Sequence, residues 1–525
     1  MRKVSHRATV VIICLSLLYI PTKLNAQKKG SDVDRASARP SVDIENLMEN
    51  QDVLFEISAG HTKDIRALEQ RVLELEKKLA EATEQGEELK KMREEMEKLR
   101  TQPTGAEKKT QERSVLEPKF ELRVRPEFTQ NLRDLNSDVN DKDWQYLQRL
   151  RLGLALTPIK DFSAVVVFQD SRLWGEELST LPGRNEITTK TFLHEGYVQV
   201  DNILTPGLGF QAGRMQLRFG AERQVGAVDW HNVGRAFDGL RIFYKKPNAF
   251  SISAFFTMVS DRGRESGPNT DFGGVYASLD LWKFLAVEVY GFYLYNDEPS
   301  GTEHIGTVGL RAVAKPLKSL EIEGEGAWQF GRSLLDKQQG VKDHVAAAYF
   351  AKVSYDFTDF TKVKPSLGAF FYSASGDPNP QDSRNVAYRV LYPTGHPMLG
   401  FMDLFQWTGI LDFGPALKLG FLKDFSFSLD YHAFFLTSDG GILRGAFRAD
   451  TVIFPSGKGR FVGHEMDVVL SWRAHRYLSF ETGYSFFKPG SVTSKSTSID
   501  RQIEEHLGLG ADVAHFFYFQ GKVSF

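Results

Sequence analysis

From residue 119 to residue 525 this chain alternates apolar and polar residues with a period of two, and no other feature restricts its fold as strongly. In the stretch YLQRLRLGLAL (146–156), every second residue from position 150 is leucine, while Arg149 and Arg151 stand beside these leucines. Such alternation predicts β-strands with one apolar and one polar face. The same pattern occurs in FELRVRPEF (120–128), ILDFGPALKLGF (410–421) and FSFSLDYHAFF (425–435).

The composition indicates which surroundings these strands face. The 525 residues include 40 Phe, 17 Tyr and 45 Gly, and the mean hydropathy is −0.31. A bundle of membrane helices is excluded, because no segment after residue 20 approaches the roughly 18 consecutive apolar residues that such a helix needs. A soluble β-sandwich shares its apolar faces between two sheets, whereas these apolar faces are rich in aromatic residues. The pattern predicts lipid outside and water inside, as in an outer-membrane β-barrel.

Short and long connections alternate along the chain, and this alternation predicts the number of strands. Eight short turns and nine longer polar segments imply an all-β fold, an 18-stranded antiparallel transmembrane β-barrel over 118–525. The last strand, FFYFQGKVSF (516–525), is expected to close the barrel against the first. The short turns are expected near 157–162, 204–207, 245–250, 281–284, 315–320, 356–360, 422–425 and 473–477. The longer segments are expected near 129–144, 174–190, 220–234, 261–271, 296–303, 331–343, 374–407, 437–460 and 488–513.

The first 26 residues have the three parts of a secretory signal peptide. Three basic residues precede the apolar run VVIICLSLLYI (10–20), which is too short to span a bilayer as a helix. Ala26 then supplies a small residue for cleavage. The single cysteine, Cys14, lies inside this segment, so we expect the exported chain to contain no disulfide.

Three segments are predicted between the signal peptide and the barrel. Residues 27–60 are polar and are expected to form a flexible lead-in, and residues 101–117 a linker. Residues 61–100 carry apolar side chains four and three positions apart, with a phase slip near Gly86, as in a short coiled-coil helix. We expect this helix to lie in the periplasm. It is either a solvated spacer, a contact for the cell wall or another protein, or a means of joining barrels into a homotrimer through 65–100.

Six segments of the predicted barrel carry a family resemblance: LRLGLALTPIKDFSAVVVFQDSRLWGE (150–176), HEGYVQVDN (194–202), GRMQLRFGAERQVGAVDWHNVGRAFDGLRIFY (213–244), YPTGHPMLGFMDL (392–404), SLDYHAFFL (428–436) and LSFETGYSFFKPG (478–490). In combination they resemble the bacterial alginate export family of outer-membrane β-barrel porins. The resemblance covers about 118–525 and does not extend to the coiled-coil segment. It implies a barrel in the cell outer membrane that lets alginate-like anionic saccharides diffuse passively.

The polar faces of the first six predicted strands carry eight arginines. Strand parity directs them into the barrel, where a guanidinium group offers a fixed set of donors to a carboxylate or phosphate. Charges in a barrel lumen commonly set selectivity, which favours that role here. The alternative is a structural network in which they pair with Glu121, Glu127, Asp170 and Glu195. The predicted pore-lining basic residues are Arg123, Arg125, Arg149, Arg151, Arg172, Arg214, Arg218 and Arg241.

Later strands carry the opposite charge with the same inward parity. Closing the sheet is expected to place a basic wall across from an acidic wall, with a field between them. Such a field suits polar or zwitterionic small solutes at least as well as a polyanion, so a general small-solute porin is the alternative function. The predicted pore-lining acidic residues are Glu195, Glu288, Glu321, Glu323, Glu325, Glu465, Asp467 and Glu481.

The remaining motifs do not predict catalysis or a cofactor. DLNSDVNDKD (134–143) has oxygen ligands at Asp134, Asn136 and Asp138, but it lacks the glycine and distal glutamate of an EF-hand, so a solvated loop is favoured over a calcium site. No serine–histidine pair with an orienting partner can be identified. A net charge of −2 gives no support to a nucleic-acid partner. We predict passive transport within outer-membrane lipid; a non-conducting structural or adhesive barrel is a further alternative.

Overall fold

The computed structural model describes residues 70–71 and 115–525, except 133–134, 139, 176–188, 261–268, 335–339, 358–362, 380, 397, 423, 440, 442, 446–450, 455–458, 495–496 and 501–504. Residues 70–71 are helical, and no helix among the described residues is long and apolar enough to cross a membrane. The predicted signal peptide, the lead-in and the rest of the coiled-coil segment lie outside the described residues. So does the predicted linker, apart from its last three residues.

Eighteen strands of eight to seventeen residues form the wall of a barrel: β1 (Leu116–Gln130), β2 (Asp143–Ile159), β3 (Phe162–Leu173), β4 (Thr189–Val200), β5 (Leu208–Met215), β6 (Phe237–Lys246), β7 (Phe250–Ser260), β8 (Asn269–Trp282), β9 (Leu285–Glu298), β10 (Gly301–Leu317), β11 (Leu320–Ser333), β12 (Lys342–Asp356), β13 (Pro365–Ala374), β15 (Ile410–Phe421), β16 (Phe425–Leu436), β19 (Phe461–His475), β20 (Leu478–Pro489) and β23 (Ala514–Ser524). Five shorter strands lie in the connections: β14 (Arg384–Asn385), β17 (Leu443–Arg444), β18 (Thr451–Phe454), β21 (Thr497–Asp500) and β22 (Glu505–Gly508). The last four form a separate four-stranded sheet, and β14 pairs in parallel with β12.

The wall closes on itself. Each wall strand pairs antiparallel with the next, and β23 pairs with β1 from Glu121↔Ser524 to Gln130↔His515. Phe525 adds two backbone hydrogen bonds to Phe120, of 2.9 and 3.0 Å, and the two rings stack with centroids 4.9 Å apart. The predicted 18-stranded antiparallel β-barrel is confirmed, and so is its closure by the C-terminal strand.

The two ends of the barrel differ in the length of their connections, as predicted. The termini of the wall lie at the end with eight turns, which are 160–161, 201–207, 247–249, 283–284, 318–319, 357–364, 422–424 and 476–477. The opposite end carries the longer connections, including 174–188, 216–236 and 375–409. We refer to these as the short-turn end and the long-loop end.

One expected long connection does not exist. Near 296–303 the strands β9 and β10 continue to Glu298 and Gly301, which leaves only residues 299–300 in the turn. The polar residues of this segment remain in the ladder, where Asn296 pairs with Glu303. The prediction is wrong because polar residues at a strand end have the same composition as a loop.

One face of the wall strands is apolar and exposed, as a barrel in lipid requires. On β2 this face carries leucines at every second position from 150 to 156. Toward the long-loop end it carries Trp144, Tyr146 and Trp174, whose rings stack in sequence at 6.4 and 6.1 Å. Trp282 and Phe284 stack at the short-turn end, 5.9 Å apart. Aromatic rings near both ends of the apolar band are typical of the two membrane–water interfaces.

The outward leucines predict the cost of a charge on the membrane face. We expect Leu152→Arg, in the middle of the exposed leucines of β2, to destabilise the barrel in lipid vesicles by about 2–4 kcal/mol. Ser163→Arg, on the inward parity of β3 near the short-turn end, is the matched control and is expected to cost much less. The measurement is the free energy of unfolding in urea. Equal costs for the two variants would contradict the assignment of faces.

Candidate functional site in the barrel interior

The connection 216–236, between β5 and β6, folds into the barrel, and we call it loop A. Its side chains Leu217 and Val225 have no exposed surface, and Phe219 packs on Phe255 of the wall with ring centroids 5.4 Å apart. Removing apolar surface from water, at about 25 cal/mol per Å², stabilises this inward conformation. Loop A therefore fills part of the barrel interior.

Three of the predicted pore-lining arginines hold the backbone of loop A. Arg123 Nη1 donates to the carbonyl oxygen of Asp229 (2.7 Å), and Arg149 Nη1 donates to the same oxygen (2.9 Å). Arg125 Nη1 donates to the carbonyl oxygen of Trp230 (2.7 Å), and its guanidinium lies 3.8 Å from the centroid of the Trp230 ring. Hydrogen bonds from a charged donor are stronger than those between neutral groups. These arginines therefore fasten loop A to β1 and β2.

The same three side chains point inward, as strand parity predicts, but they do not border open space. Arg123, Arg125 and Arg149 are only 2–3% exposed, because loop A covers them. Two of them also pair with carboxylates of the wall, Arg125 with Glu127 (2.5 Å) and Arg149 with Glu121 (2.6 Å). A structural network describes them better than an open arginine-lined passage does. Parity gives the direction of a side chain and not what covers it.

At its exposed edge, loop A carries a carboxylate surrounded by guanidinium groups. The Asp229 side chain is 42% exposed, and its oxygens contact Arg151 Nη1 (3.0 Å) and Arg218 Nη2. Arg149 Nη2 lies 3.8 Å from Asp229 Oδ1, and Arg218 Nη1 also pairs with Glu222 Oε1 at 3.0 Å. Burial acts to raise the pKa of Asp229, but the guanidinium groups outweigh it and hold that pKa below its usual range. Asp229 is thus an anion held by three arginines where loop A meets solvent.

The opposite side of loop A reaches the acidic wall. Arg223 Nη1 contacts Glu323 Oε1 (2.7 Å) and Glu325 Oε2 (2.8 Å), and all three side chains are at most 9% exposed. Arg311 of β10 pairs with Glu323 at 2.7 Å and with Glu288 at 2.6 Å. Three predicted acidic residues therefore belong to one ion-pair network, and loop A connects the basic wall to the acidic wall.

The sequence analysis did not identify Arg223 and Asp229. Both lie in a connection, where strand parity does not apply, so their side chains could not be assigned to the interior. The apolar residues Val225 and Val228 within this polar segment are the one sequence feature that indicates an inward loop, because a loop that extends into solvent has no reason to carry them.

A second connection, 375–409 between β13 and β15, also folds into the barrel, and we call it loop B. It pairs with loop A through backbone hydrogen bonds. Tyr392 N donates to the carbonyl oxygen of Gln224 (2.9 Å), and Gly226 N donates to that of Tyr392 (2.8 Å). The described residues of the two loops therefore form one packed unit inside the wall.

Loop B is fixed to the wall on two sides. On one side Arg389 pairs with Glu303 of β10 at 3.3 Å. On the other side, Glu465 Oε1 of β19 accepts a hydrogen bond from Met402 N (2.8 Å), and Asp467 Oδ2 accepts one from the preceding amide (3.3 Å). Glu465 and Asp467 were expected to line a pore. The structure places both beneath loop B, at most 1% exposed.

Two predicted pore-lining arginines lie on the outer face instead. Arg172 is bonded to Asp170 at 2.6 Å, and its side chain is 66% exposed. Arg214 pairs with Asp238 at 2.6 Å on the outer face of β5 and β6. The prediction is wrong for both. On β3 the buried positions are odd-numbered, for example Gln169, and the buried positions of β5 are odd-numbered as well. Positions 172 and 214 therefore lie on the outer face. Near these strand ends the charged side chains do not mark the inward face, which the buried alternate positions define.

The remaining predicted residues face the interior of the wall. Arg241 donates to Ser253 Oγ (3.0 Å), and Glu195 is half-buried on β4. Glu481 accepts a hydrogen bond from a wall tyrosine hydroxyl (3.0 Å), and Glu321 pairs with a wall lysine at 3.0 Å near the short-turn end. These four stay predictions as pore-lining residues.

The suggested calcium loop is only partly described. Asp134 lies outside the described residues, and Asn136 Oδ1 accepts a hydrogen bond from the backbone of Asp138 (3.1 Å), which is a local turn contact. Among the residues that the structure describes, no group of three or more His, Cys, Asp or Glu side chains is arranged to hold a metal ion.

Comparison with known proteins bears on the fold and the family. A family model described as alginate export matches residues 115–502. Among solved structures, OccK8 (OprE) of Pseudomonas aeruginosa is 11% identical with a TM-score of 0.51, and the match covers 78% of this chain and 98% of that one. OpdO of the same organism is also 11% identical with a TM-score of 0.51, covering 78% and 97%. No curated protein matches the chain.

At this level of identity the two solved structures support the fold alone, that of a closed antiparallel β-barrel. The family match is more informative, because it spans most of the chain and every wall strand except β23. This chain therefore belongs to the alginate export family.

Proposed function

We propose that this barrel lets anionic saccharides of the alginate type diffuse passively across the outer membrane. Family membership supports this solute class. The observation that carries the proposal is the convergence of Arg149, Arg151 and Arg218 on the half-exposed carboxylate of Asp229. This edge of loop A is already a carboxylate site. Guanidinium groups bind carboxylates with good geometry, so a uronate carboxylate is a suitable replacement for the Asp229 side chain.

A solute carboxylate can bind at this site and leave it again, as transport requires. Arg218 is 41% exposed and is shared between Asp229 and Glu222, so an incoming carboxylate can contact it without first uncovering a buried group. The competing Asp229 carboxylate keeps that contact weak. A channel needs binding that is favourable enough for entry and weak enough for exit.

A general small-solute porin is the second candidate, and a specific observation favours it. The arginines around loop A are matched by acids at short distance: Glu121 and Asp229 face Arg149, and Glu222 faces Arg218. A lumen with balanced charges admits zwitterionic and neutral solutes as readily as anions. A non-conducting adhesive barrel is a third candidate, because loops A and B occupy much of the interior.

The N-terminal segments complete the proposal. Residues 1–26 would direct export, residues 27–60 would be the flexible lead-in, and residues 61–100 would form a coiled-coil helix in the periplasm. The linker 101–117 would join this helix to the barrel. Surrounding outer-membrane lipid would cover the exposed leucines and aromatic residues of the wall.

Neutralising the internal carboxylate tests the proposed site. In planar-bilayer recordings we expect ion current from the wild type, and we expect Asp229→Asn to raise the anion-over-cation permeability ratio, because one negative charge is then removed from among the three arginines. Asp439→Asn removes an exposed carboxylate paired with Arg460 and is the matched control, with no change expected. Unchanged selectivity in the Asp229 variant would favour the general porin, and no current would favour the adhesive barrel.

Removing the cation between loop A and the acidic wall tests how the loop is held. Arg223→Gln leaves Glu323 and Glu325 buried without the Arg223 guanidinium. We therefore expect the free energy of unfolding to fall by about 3–5 kcal/mol. Loop A should also become sensitive to protease. Lys315→Gln breaks an exposed pair with Glu321 and should cost less than about 1 kcal/mol. A similar loss in both variants would show that Arg223 does not anchor the loop.

The oligomeric role of the N-terminal helix is tested by truncation. We expect the mature chain to have the mass of a trimer in detergent and a variant that starts at Lys119 to be a monomer. The physical reason is that Leu68, Val72 and Leu75 would be buried between helices in the trimer. Equal monomeric masses for both would exclude self-association through 65–100.

A further inference from the structure

The outer face of the wall carries a group of basic side chains near the long-loop end, on three neighbouring strands. His464 of β19 pairs directly opposite Lys488 of β20. His515 of β23 pairs opposite Phe486, two residues from Lys488. Side chains directly opposite in an antiparallel sheet lie about 5 Å apart, and diagonal ones about 7–8 Å. His464, Lys488 and His515 therefore form one group, which we call the outer basic patch.

Strand parity places the outer basic patch on the lipid side of the wall. The residues next to its members in the chain, Glu465, Phe487 and Phe516, are buried inside the wall. Successive side chains of a strand point to opposite faces, so the three basic side chains point outward. Lys488 is exposed, and the two histidines are half-buried.

Tyrosine hydroxyl groups orient both imidazole rings of the patch. The hydroxyl oxygen of Tyr431 lies 2.5 Å from His464 Nδ1, and that of Tyr484 lies 2.8 Å from His515 Nδ1. In both pairs the tyrosine is two residues from the residue opposite the histidine, so the same geometry occurs on two strand pairs. Because Nδ1 is engaged, Nε2 is the nitrogen of each ring that an incoming group can contact.

The patch lies where the apolar band of the outer face ends. Lys488 is one residue from the long-loop end of β20, and His515 is one residue from that end of β23. Toward the middle of the wall, the outer face of β23 continues with the exposed rings of Phe517 and Phe519. Barrels of this kind have their longer loops outside the cell. The patch is therefore at the level of the headgroups of the outer leaflet.

The neighbouring outward side chains do not balance the charge of the patch. None of the outward residues beside it is acidic: they are Tyr431, Ala433, Met466, Phe486 and Phe517. A phosphate group carries negative charge and accepts hydrogen bonds from ammonium and imidazole donors. The patch is therefore complementary to phosphate in both charge and hydrogen bonding.

From this arrangement we propose that the outer basic patch binds the phosphate group of an outer-leaflet lipid. The Lys488 ammonium group supplies the charge, and Nε2 of each histidine supplies a hydrogen bond on either side of it. The acyl chains of the same lipid lie on the phenylalanine rings below. The inference goes beyond the proposed function, because it concerns the lipid that the wall binds and not the solute that passes through it.

A related group elsewhere on the outer face provides a matched control. The hydroxyl oxygen of Tyr293 lies 3.0 Å from His304 Nδ1, and His304 pairs opposite Arg332 of β11. Arg332 is one residue from the long-loop end of its strand, as Lys488 is. Here, however, the next strand places Asp343 opposite Arg332. A carboxylate therefore competes with phosphate at this group and not at the outer basic patch.

The experiment measures lipid binding by the full mature chain in detergent micelles, with native mass spectrometry as the readout. The probe is a glucosamine-disaccharide lipid that carries phosphate groups, compared with the same lipid after dephosphorylation. We expect the wild type to bind the phosphorylated lipid more tightly. Lys488→Gln should weaken that binding by about fivefold, the effect of one cation near a membrane surface. Arg332→Gln, the matched control, should leave it unchanged.

Three results would overturn the proposal. Equal binding of the two lipids by the wild type, or no binding of either, would show that the patch does not recognise phosphate. Equal losses in Lys488→Gln and Arg332→Gln would show only the attraction of any surface cation. Displacement of the lipid by excess inorganic phosphate would show that the patch takes free phosphate, since bound acyl chains should hold the headgroup in place.

A second measurement uses the wild type alone and does not depend on the folding of any variant. The barrel is placed in vesicles that contain either the phosphorylated or the dephosphorylated lipid, and a water-soluble reagent acetylates its lysines. Acetylation of Lys488 should be several-fold slower with the phosphorylated lipid, because a bound phosphate covers the ammonium group. The exposed Lys142, in the connection before β2, should react equally in both. An equal rate at Lys488 in the two kinds of vesicle would contradict the proposal.

Discussion

Backbone pairing between β23 and β1 is the interaction on which the rest of the structure depends. Each backbone N–H or C=O group left unpaired in lipid costs several kcal/mol, so a membrane sheet is stable only when it has no edge. Closure of eighteen strands gives a barrel that wall side chains alone do not fill, since barrels of about this size leave an aqueous space. Loops A and B occupy that space, and their position is possible only because the wall is closed and wide.

The interior is organised by charge. Guanidinium groups on β1 and β2 bind the carbonyl oxygens and the carboxylate of loop A, while Arg223 of the same loop neutralises the glutamates of β11. Loop A thus lies across the barrel, with each side matched to the wall that it contacts. Loop B follows a related rule on β19, except that backbone N–H groups take the place of the cations. Buried charged groups therefore position both loops.

Particular residues show how far the sequence could be read. Alternation in β2 and β23 predicted the strands and their outward faces correctly, because lipid and water impose a period of two. The same rule correctly turned Arg123 and Arg149 inward, yet it could not indicate that loop A covers them. It failed at Arg172 and Arg214, where charge at a strand end was taken for a lumen position. It also read the polar ends of β9 and β10 as a loop.

The sequence by itself determined the barrel, its strand number and the direction of most wall side chains, since these follow from a local pattern repeated in every strand. The family followed from the resemblance of particular segments. Only the tertiary structure decided what the interior contains. The contacts of Asp229 with Arg151, of Arg223 with Glu325, and of Glu465 with Met402 join residues that are far apart in the chain. The physical reason is that a connection has no period of its own, so its conformation is set by the surfaces it meets inside the closed wall.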